Sequence, residues 1–246
     1  MQIAAIIPTY NEAENLPKLV SALFSLPLEL RVLIVDDSSP DGTGAVADRL
    51  AAGDSRVRVL HREGKLGLRS AYIAGIRWAL EEQADAVLQM DADFSHDPLR
   101  IPAMAEQLAT HDMVLGSRYV PGGSVDLQWP AWRKGLSAFA NFYARTILGM
   151  RLHDVTTGFR LWRRQTLLGM PLDQIRSNGY VFLVEMVYVA YCLEYRIGEV
   201  PIYFADRKWG QSKMTLRIQL EAAFRIWQVW WGNRVRRQLG KRARLV

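Results

Sequence analysis

Two aspartates, Asp91 and Asp93, flank a single alanine directly after the apolar run AVLQM. Aspartate is disfavoured in strands, and a buried carboxylate without a partner is costly. Where a strand gives way to a turn, both carboxylates can reach one hard cation. Mg²⁺ and Mn²⁺ prefer oxygen ligands, and substrate phosphates often complete their coordination shell. The pair therefore predicts a metal and phosphate site.

Helix capping is the other interpretation of this stretch. Asp97 precedes Pro98, a typical helix start, and this explains His96 and Asp97 well. An isolated Asp-x-Asp is also common in loops, so the motif by itself is weak. Capping does not account for Asp91 and Asp93, however, because these two residues end the apolar run rather than begin the helix.

The segments around the aspartates alternate between strand and helix. Strands are predicted at QIAAIIPTY, LRVLIVDD, VRVLHRE, ADAVLQMDAD and DMVLGSRYV, and helices at NEAENLPKLVSALFSL, GAVADRLAAG, GLRSAYIAGIRWALEEQ and LRIPAMAEQLAT. Asn11 and Glu14 are spaced like an N-cap and its N3 partner. The alternation predicts an α/β, Rossmann-like fold, in which a mostly parallel sheet carries helices on both faces.

Polar residues follow several of these strands, at positions 9–12, 36–37, 91–93 and 117–118. Ligands of doubly wound sheets bind beyond the carboxyl ends of the strands, so we expect these residues to converge on one crevice. The chain contains neither a GxGxxG motif nor a Walker lysine loop. An ordinary dinucleotide site or P-loop is therefore disfavoured.

The second half of the chain is less regular. A loop rich in Gly, Pro and Trp is predicted over residues 119–135, and a helix over 135–149. HDVTTGFRLWRR is predicted as loop and strand, YVFLVEMVYVAYCLE as a buried helix, IGEVPIYFADR as a strand and RKWGQSK as a basic loop. An amphipathic helix is predicted over 214–239. No good linker divides the chain, so we expect one domain over residues 1–215, followed by a helix and basic tail over 216–246.

Composition narrows the class of protein. Half of the 246 residues are hydrophobic, and the single cysteine, Cys192, excludes a disulfide within the chain. The N-terminus reads as a strand rather than a signal peptide, and no apolar window of about 18–20 residues predicts a transmembrane helix. The net charge is +6, and residues 232–246 contain six basic and no acidic residues. This tail suits an anionic membrane or nucleic acid, or it is simply solvated.

The order of the motifs supplies a resemblance. IPTYNE, IVDDSSPDGT, GLRSAY, MDADFSH, GSRY, TTGFRLWRR and DRKWGQSK follow one another along roughly residues 1–215. Together they resemble the family-2 glycosyltransferases of GT-A fold, in particular the dolichyl- or polyprenyl-phosphate mannose synthases. The series as a whole is specific to this branch, whereas any one motif is not. The resemblance implies transfer of mannose from GDP-mannose to a polyprenyl phosphate.

The same resemblance implies roles for individual residues. Asp91, Ala92 and Asp93 would hold Mg²⁺ or Mn²⁺ and the donor diphosphate, and Ser95 stands where the family often has a third metal contact from Gln. The residues that would line the nucleotide pocket are Pro8, Tyr10, Glu12, Val35 and Asp37. The cations that would face the phosphates are Arg118, Arg207 and Lys213.

The chemistry of such a transfer agrees with these residue types. A departing diphosphate is stabilised by a divalent cation together with Arg and Lys side chains. A phosphomonoester has a second pKa of about 6, so a lipid monophosphate is already a nucleophilic dianion at neutral pH. A strong catalytic base is then unnecessary, and none of the four histidines stands out. Arg133 and Lys134 are the candidates for binding the acceptor phosphate.

Two alternative functions, and the role of the C-terminal helix, remain open from the sequence. A transferase of the same fold could use a UDP-sugar, and a basic-tailed nucleic-acid-binding protein is a more remote reading. The predicted C-terminal helix has one apolar face, which could lie on a membrane or pack against the domain or a partner protein. The residues of this face are Leu216, Leu220, Ala223, Phe224, Trp227 and Trp231. We expect a peripheral enzyme on the cytoplasmic face of a membrane.

Overall fold

The computed structural model of the chain describes residues 1–206 and 216–233, with side chains in the second range from residue 221. Its strands are β1 (Gln2–Thr9), β2 (Glu29–Asp36), β3 (Val57–His61), β4 (Ala86–Gln89), β5 (Met113–Ser117), β6 (Ser124–Val125), β7 (Arg160–Arg163), β8 (Ile197–Pro201) and β9 (Tyr203–Phe204). Its helices are α1 (Leu16–Phe24), α2 (Thr43–Gly53), α3 (Leu68–Glu81), α4 (Ile101–Gln107), α5 (Ala131–Leu148), α6 (Arg164–Gly169), α7 (Gly179–Cys192) and α8 (Leu216–Gly232).

The main sheet of the described residues has the strand order β3-β2-β1-β4-β7-β5-β8. Strands β3, β2, β1 and β4 are parallel, β5 and β8 are parallel, and β7 runs antiparallel between β4 and β5. A small second sheet pairs β6 with β9. The predicted α/β fold with a mostly parallel sheet is confirmed.

The sheet is buried on both faces, as parallel sheets are. Successive side chains of β1 point to opposite faces: Ile3 and Ile7 pack with α1, α2 and α4, whereas Ala4 and Ile6 pack with α3 and α7. Helix α7 is buried on nearly all sides, because it lies beneath both α3 and α8. The predicted buried helix at YVFLVEMVYVAYCLE is thus confirmed.

Helix α3 lies unusually close to β1. Gly75 makes this approach possible, since a methyl group at its position would lie 2.4 Å from Cγ2 of the buried Ile6. A contact of that length cannot exist without a shift of the helix or of the strand. Gly75 is therefore a packing residue, and its position fixes how α3 sits on the sheet.

The first helix begins later than predicted, at Leu16. Asn11 has a left-handed φ of 64°, and its backbone N–H donates to Oγ of Ser39 at 3.1 Å. The N-cap position belongs to Asn15, without a side-chain capping bond. The predicted capping pair of Asn11 and Glu14 is therefore wrong, because these residues belong to the turn that follows β1.

Two boundaries in the second half also differ from prediction. Helix α5 begins at Ala131 rather than at residue 135, with Pro130 at its N-cap position. The predicted strand IGEVPIYFADR is two strands, because the chain leaves the main sheet at Ile202 and β9 pairs with β6 instead. None of the described helices is long and apolar enough to cross a membrane.

Candidate active site

The polar strand ends meet at one edge of the sheet. Thr9 at the end of β1 is in register with Asp36 at the end of β2, and β4 lies on the other side of β1. Strand β5 runs in the same direction as β4, because both are antiparallel to β7. The residues that follow β1, β2, β4 and β5 therefore surround one crevice, as ligand-binding residues do in this class of sheet.

The ends of β1 and β2 are joined by hydrogen bonds. Oγ1 of Thr9 donates to Oδ1 of Asp36 at 3.0 Å, and the backbone N–H of Ser39 donates to Oδ2 of the same carboxylate at 3.1 Å. Pro8 lies opposite Val35 in the register of the two strands. The predicted pocket residues of the two strands are thus neighbours, whereas the structural role of Asp36 could not be read from the sequence.

Three predicted pocket residues follow these strands. The ammonium of Lys65 lies 3.9 Å from the centre of the Tyr10 ring. The backbone N–H of Glu12 donates to Oγ1 of Thr43 at 2.8 Å, which ties the turn after β1 to the start of α2. Asp37 forms a nearly buried ion pair with Arg62. Neither Lys65 nor Arg62 was expected at this site.

The aspartate motif forms a tight turn after β4. Asp93 is only 4% exposed, and its Oδ1 accepts both the backbone N–H of Ser95, at 3.1 Å, and the Ser95 hydroxyl, at 2.6 Å. Ala92, between the two aspartates, is buried. Asp97 accepts the backbone N–H of Leu99 at 3.0 Å, so the capping interpretation holds for Asp97. The turn therefore holds the Asp93 carboxylate against the Ser95 hydroxyl, two residues after Asp91.

These oxygen ligands fit a hard divalent cation. No group of three or more His, Cys, Asp or Glu side chains that could hold a metal occurs in residues 1–206 and 216–233. Two carboxylates and a hydroxyl are nevertheless the donor set from which Mg²⁺ or Mn²⁺ is bound when water and a diphosphate complete the shell. Asp91 and Asp93 would hold such a cation, with Ser95 beside them.

The buried ring of His96 contacts the backbone of this turn. Its ring is buried against Phe159, with ring centres 5.0 Å apart, and its Nδ1 accepts the backbone N–H of Asp91 at 3.2 Å. Burial lowers the pKa of His96, so the ring is neutral and its proton lies on Nε2. This Nε2 has no hydrogen-bond partner among the described residues. The ring therefore anchors the backbone at Asp91 and is not a strong base.

Arg118, which follows β5, is buried in a two-pronged ion pair. Its Nε and Nη2 donate to the two carboxylate oxygens of Asp154 at 2.7 and 2.9 Å, and Nη2 also donates to Thr156 at 2.7 Å. Burial alone would lower the pKa of Arg118, but the Asp154 carboxylate outweighs this and raises it. Contact of Arg118 with a phosphate stays a prediction, and Asp154 is a partner that the sequence did not indicate.

A second buried arginine, Arg160, shapes the same wall. Its guanidinium donates to the backbone oxygens of Thr157 at 2.8 Å and of Leu183 at 2.5 Å, and burial lowers its pKa. These bonds fix the segment that precedes β7. Within that segment, a methyl group at Gly158 would lie 3.6 Å from Oδ2 of Asp91. The segment therefore borders the aspartate motif directly.

The predicted acceptor residues lie at the start of α5. The Arg133 guanidinium stacks on the Trp129 ring at 3.8 Å, and its Nη1 donates to both carboxylate oxygens of Asp206 at 3.1 Å. Nζ of Lys134 donates to the backbone oxygen of Leu127 at 2.9 Å. Two partners thus fix the Arg133 guanidinium, whereas the Lys134 ammonium is bonded to the loop that precedes α5.

Aromatic rings connect the aspartate motif to the start of α5. Trp129 meets the edge of Phe204 with ring centres 5.7 Å apart, and Phe204 meets His96 at 5.4 Å. The backbone N–H of Ala205 donates to the oxygen of Ser95 at 3.3 Å. The surroundings of Arg133 are therefore packed against the aspartate motif. The two remaining predicted phosphate ligands, Arg207 and Lys213, lie outside the described residues.

A mostly parallel sheet with an acidic turn at its carboxyl edge is typical of a GT-A glycosyltransferase, and a comparison with known protein families agrees. The chain belongs to glycosyl transferase family 2, which it matches over residues 4–168. It is therefore a glycosyltransferase, as the motif series predicted.

Two curated relatives cover nearly the whole chain. The chain is 47% identical to an undecaprenyl-phosphate mannosyltransferase of Micrococcus luteus over 245 residues, 100% of this chain and 99% of the relative. It is 44% identical to a polyprenol monophosphomannose synthase of Mycolicibacterium smegmatis over 233 residues, 94% of this chain and 87% of the relative. The predicted resemblance to polyprenyl-phosphate mannose synthases is confirmed.

Solved structures agree on the fold. Glucosyl-3-phosphoglycerate synthase from Mycobacterium tuberculosis, in complex with Mn²⁺, UDP and phosphoglyceric acid, superposes with a TM-score of 0.63 at 18% identity, covering 93% of this chain and 76% of that chain. The complex of the same enzyme with Mn²⁺, UDP and glucosyl-3-phosphoglycerate gives a TM-score of 0.61 at 18% identity, covering 93% and 78%. At this identity the likeness concerns the fold alone.

Proposed function

We propose that the enzyme transfers mannose from GDP-mannose to the phosphate of a polyprenyl phosphate, giving polyprenyl phosphate mannose and GDP. One observation carries the proposal: ring contacts through His96, Phe204 and Trp129 link the turn of Asp91 and Asp93 to the surroundings of Arg133, in a chain 47% identical over its whole length to an undecaprenyl-phosphate mannosyltransferase. Carboxylates suit a metal-bound diphosphate, and an arginine fork whose ion pair is partly exposed suits a lipid phosphate.

The reaction needs no base to remove a proton from the acceptor. An oxygen of the dianionic lipid phosphate forms a bond to the anomeric carbon of mannose, and the bond from that carbon to the donor diphosphate breaks. Attack opposite to the leaving group inverts the anomeric carbon, so an α-linked donor gives a β-linked product. Asp91 and Asp93 would hold Mg²⁺ or Mn²⁺, which when bound offsets the charge that builds up on the departing diphosphate.

The protein's own residues position the reactants. We assign the nucleotide to Pro8, Tyr10, Glu12, Val35 and Asp37, which lie at the ends of β1 and β2. Arg133 would bind the acceptor phosphate, because its stacking on Trp129 fixes the plane of the guanidinium. Its ion pair with Asp206 is partly exposed, so an arriving phosphate can compete for the same cation. Arg118, Arg207 and Lys213 are further proposed phosphate ligands.

The enzyme would meet its lipid as a peripheral protein on the cytoplasmic face of a membrane. Helices α5 and α8 pack against each other, and both carry exposed apolar side chains. These are Trp132, Leu136 and Phe139 on α5, and Phe224, Trp227 and Trp231 on α8. We call these six residues the aromatic surface. Nε1 of Trp227 donates to the Tyr143 hydroxyl at 3.0 Å and so links the two helices. Trp132 is the neighbour of Arg133, which places this surface beside the proposed acceptor site.

Transfer of radiolabelled sugar to polyprenyl phosphate tests the proposal. GDP-mannose, UDP-glucose and UDP-N-acetylglucosamine are compared as donors, each with Mg²⁺, with Mn²⁺ and with EDTA. We expect product from GDP-mannose only when a divalent cation is present. In Asp93→Ala we expect a loss of at least about a hundredfold, the scale on which a single electrostatic contact in a reacting site acts.

Asp173→Ala is the matched control, because Asp173 is an exposed carboxylate whose ion pair among the described residues is with Arg77, outside the crevice. It should retain full activity. Preference for a UDP-sugar would overturn the proposed donor, and undiminished transfer in EDTA would overturn the metal. Absence of lipid product with every donor would contradict the acceptor and the role of Arg133.

A further inference from the structure

Arg62, directly after β3, makes more contacts than a solvated loop arginine does. Its Nη1 donates to Oγ of Ser70 at 2.5 Å, its Nη2 donates to the backbone oxygen of Gly67 at 3.1 Å, and its backbone N–H donates to the oxygen of Asp36 at 2.9 Å. The side chain of Arg62 is 7% exposed and that of Asp37 is 10% exposed. The guanidinium thus joins the ends of β2 and β3 to the start of α3.

Both contacts of Arg62 with Asp37 fall on the same carboxylate oxygen. Nε and Nη2 of the guanidinium reach Oδ1, and no hydrogen bond from a described residue reaches Oδ2. The rigid, planar guanidinium thus fixes the position of Oδ1 and, with it, the rotation of the carboxylate. Oδ2 is therefore left as the acceptor that a ligand in the crevice can use.

The same contacts hold the loop that borders the pocket. Oγ of Ser70 donates to the backbone oxygen of Leu66 at 2.8 Å, so residues 62–67 are closed against the first turn of α3. Lys65 lies within this loop, with its ammonium over the Tyr10 ring. Arg62 therefore sets the position of two pocket walls at once, the Asp37 carboxylate and the loop facing Tyr10.

We propose that Arg62 is a positioning residue of the nucleotide pocket, which orients Asp37 so that its Oδ2 accepts the ring N–H of a guanine or uracil base. Adenine and cytosine present an unprotonated ring nitrogen at the corresponding edge, which a carboxylate oxygen repels. This inference rests on the proposed donor role of Asp37. Arg62 itself touches no substrate and acts through the carboxylate and the loop.

Direct binding of nucleoside diphosphates tests this inference. The wild-type chain is titrated calorimetrically with GDP, UDP, ADP and CDP, and the variants Arg62→Lys, Arg62→Gln, Asp37→Asn and Arg62→Gln/Asp37→Asn are titrated with the nucleotide that binds best. We expect about tenfold weaker binding in Arg62→Lys, because lysine keeps the charge but loses the planar fork. The donor KM should rise by a similar factor, with kcat at saturating donor changed by less than about twofold, as for lost ground-state binding.

The double variant separates positioning from independent effects. If Arg62 acts through Asp37, the loss in Arg62→Gln/Asp37→Asn equals that of the weaker-binding single variant, whereas independent losses multiply. Arg31→Gln is the control, since Arg31 on the opposite end of β2 forms an exposed ion pair with Glu82. It should bind nucleotide as the wild type does.

Several results would overturn the inference. Unchanged nucleotide affinity in both Arg62 variants would do so, as would losses that multiply in the double variant. So would a fall in kcat without a change in donor KM. The last case is an Arg62→Lys chain that is no longer folded, which thermal unfolding checks. Wild-type preference for ADP or CDP would contradict the assigned role of Asp37. Binding of UDP in place of GDP contradicts only the proposed donor, because the Arg62 comparison is then made with UDP.

Discussion

Asp154 is a fully buried carboxylate surrounded by donors. Besides the two prongs of Arg118, it accepts the backbone N–H of Arg118 at 3.1 Å and the hydroxyl of Thr156 at 3.1 Å. Its own backbone N–H donates to Glu199 at 2.9 Å. Burial alone would raise the pKa of Asp154, but the charge and hydrogen bonds of Arg118 outweigh it and lower the pKa. The ionised carboxylate therefore stabilises the fold.

Replacing Asp154 by asparagine should destabilise the protein strongly at neutral pH. Loss of one partner leaves the Arg118 charge buried, a change that costs about 3–5 kcal/mol in unfolding free energy. Since the folded pKa lies below the ordinary value of 3.8, the wild-type advantage is complete above that pH and disappears as the pH falls through the folded pKa. Urea unfolding of both chains at pH 7 and pH 3 measures the difference in unfolding free energy, which should be smaller at pH 3.

The exposed pair of Asp54 and Arg56 is the control for this prediction. It is also two-pronged, with Nη2 of Arg56 2.7 Å from Oδ2 of Asp54. Because water screens an exposed pair, Asp54→Asn should change stability little at either pH. Equal effects of the two substitutions, or an Asp154→Asn effect that does not vary with pH, would contradict the account of Asp154.

Some residues of the site could be predicted from the sequence, and others could not. Asp91 and Asp93 are conspicuous locally, since two carboxylates end an apolar run. Arg62 and Asp154 have partners 25 and 36 residues away, respectively. A charged residue in a loop looks solvated until the topology of the sheet brings its partner to it.

At the scale of the elements, Gly75 decides how α3 lies on β1. Gly75→Ala should destabilise the fold by about 1–3 kcal/mol, since an added methyl group overpacks the core against Ile6. This outcome opposes helix propensity, which favours alanine over glycine by about 1 kcal/mol. Urea titration measures the free energy of unfolding and shows whether Gly75→Ala raises or lowers it.

Gly135 in α5 is the counterpart, because a methyl group at its position meets nothing within 4 Å. Gly135→Ala should therefore stabilise the protein by up to about 1 kcal/mol. Stabilisation by both substitutions would mean that α3 can move away from Ile6 at little cost, and the close approach would then have no structural importance.

The helices and strands themselves were largely predictable, because hydrophobic periodicity and turn residues mark them locally. The place of β7 was not predictable. Its four residues, Arg160–Arg163, lie in the middle of the main sheet, although they come after β5 in the chain. Strand order depends on pairing between distant segments, and β7 runs against its neighbours, which alternation of strands and helices does not indicate.

At the scale of the whole molecule, the aromatic surface predicts where the enzyme touches a bilayer. Exposed aromatic rings on helices, with a basic tail beyond them, bind at the boundary between headgroups and acyl chains. Phe139→Ser/Trp231→Ser should weaken binding of the full chain to anionic phosphatidylglycerol vesicles by at least about tenfold. Sedimentation with the vesicles measures the bound fraction.

Leu99→Ser is the control, since Leu99 is equally exposed but precedes α4, on the other face of the sheet. Its binding to vesicles should equal that of the wild type. If Phe139→Ser/Trp231→Ser binds vesicles normally but alters the mass of the protein in solution, the aromatic surface is an interface with another protein chain.

The position of β7 also governs the order in which the chain can fold during its synthesis. In the described sheet, β4 has β1 and β7 as neighbours, and β5 has β7 and β8. Until Arg160–Arg163 leave the ribosome, β4 is an open edge and β5 has no strand to pair with. Open strand edges invite pairing with other chains, so nascent chains of this enzyme are exposed to aggregation in the interval before β7 emerges.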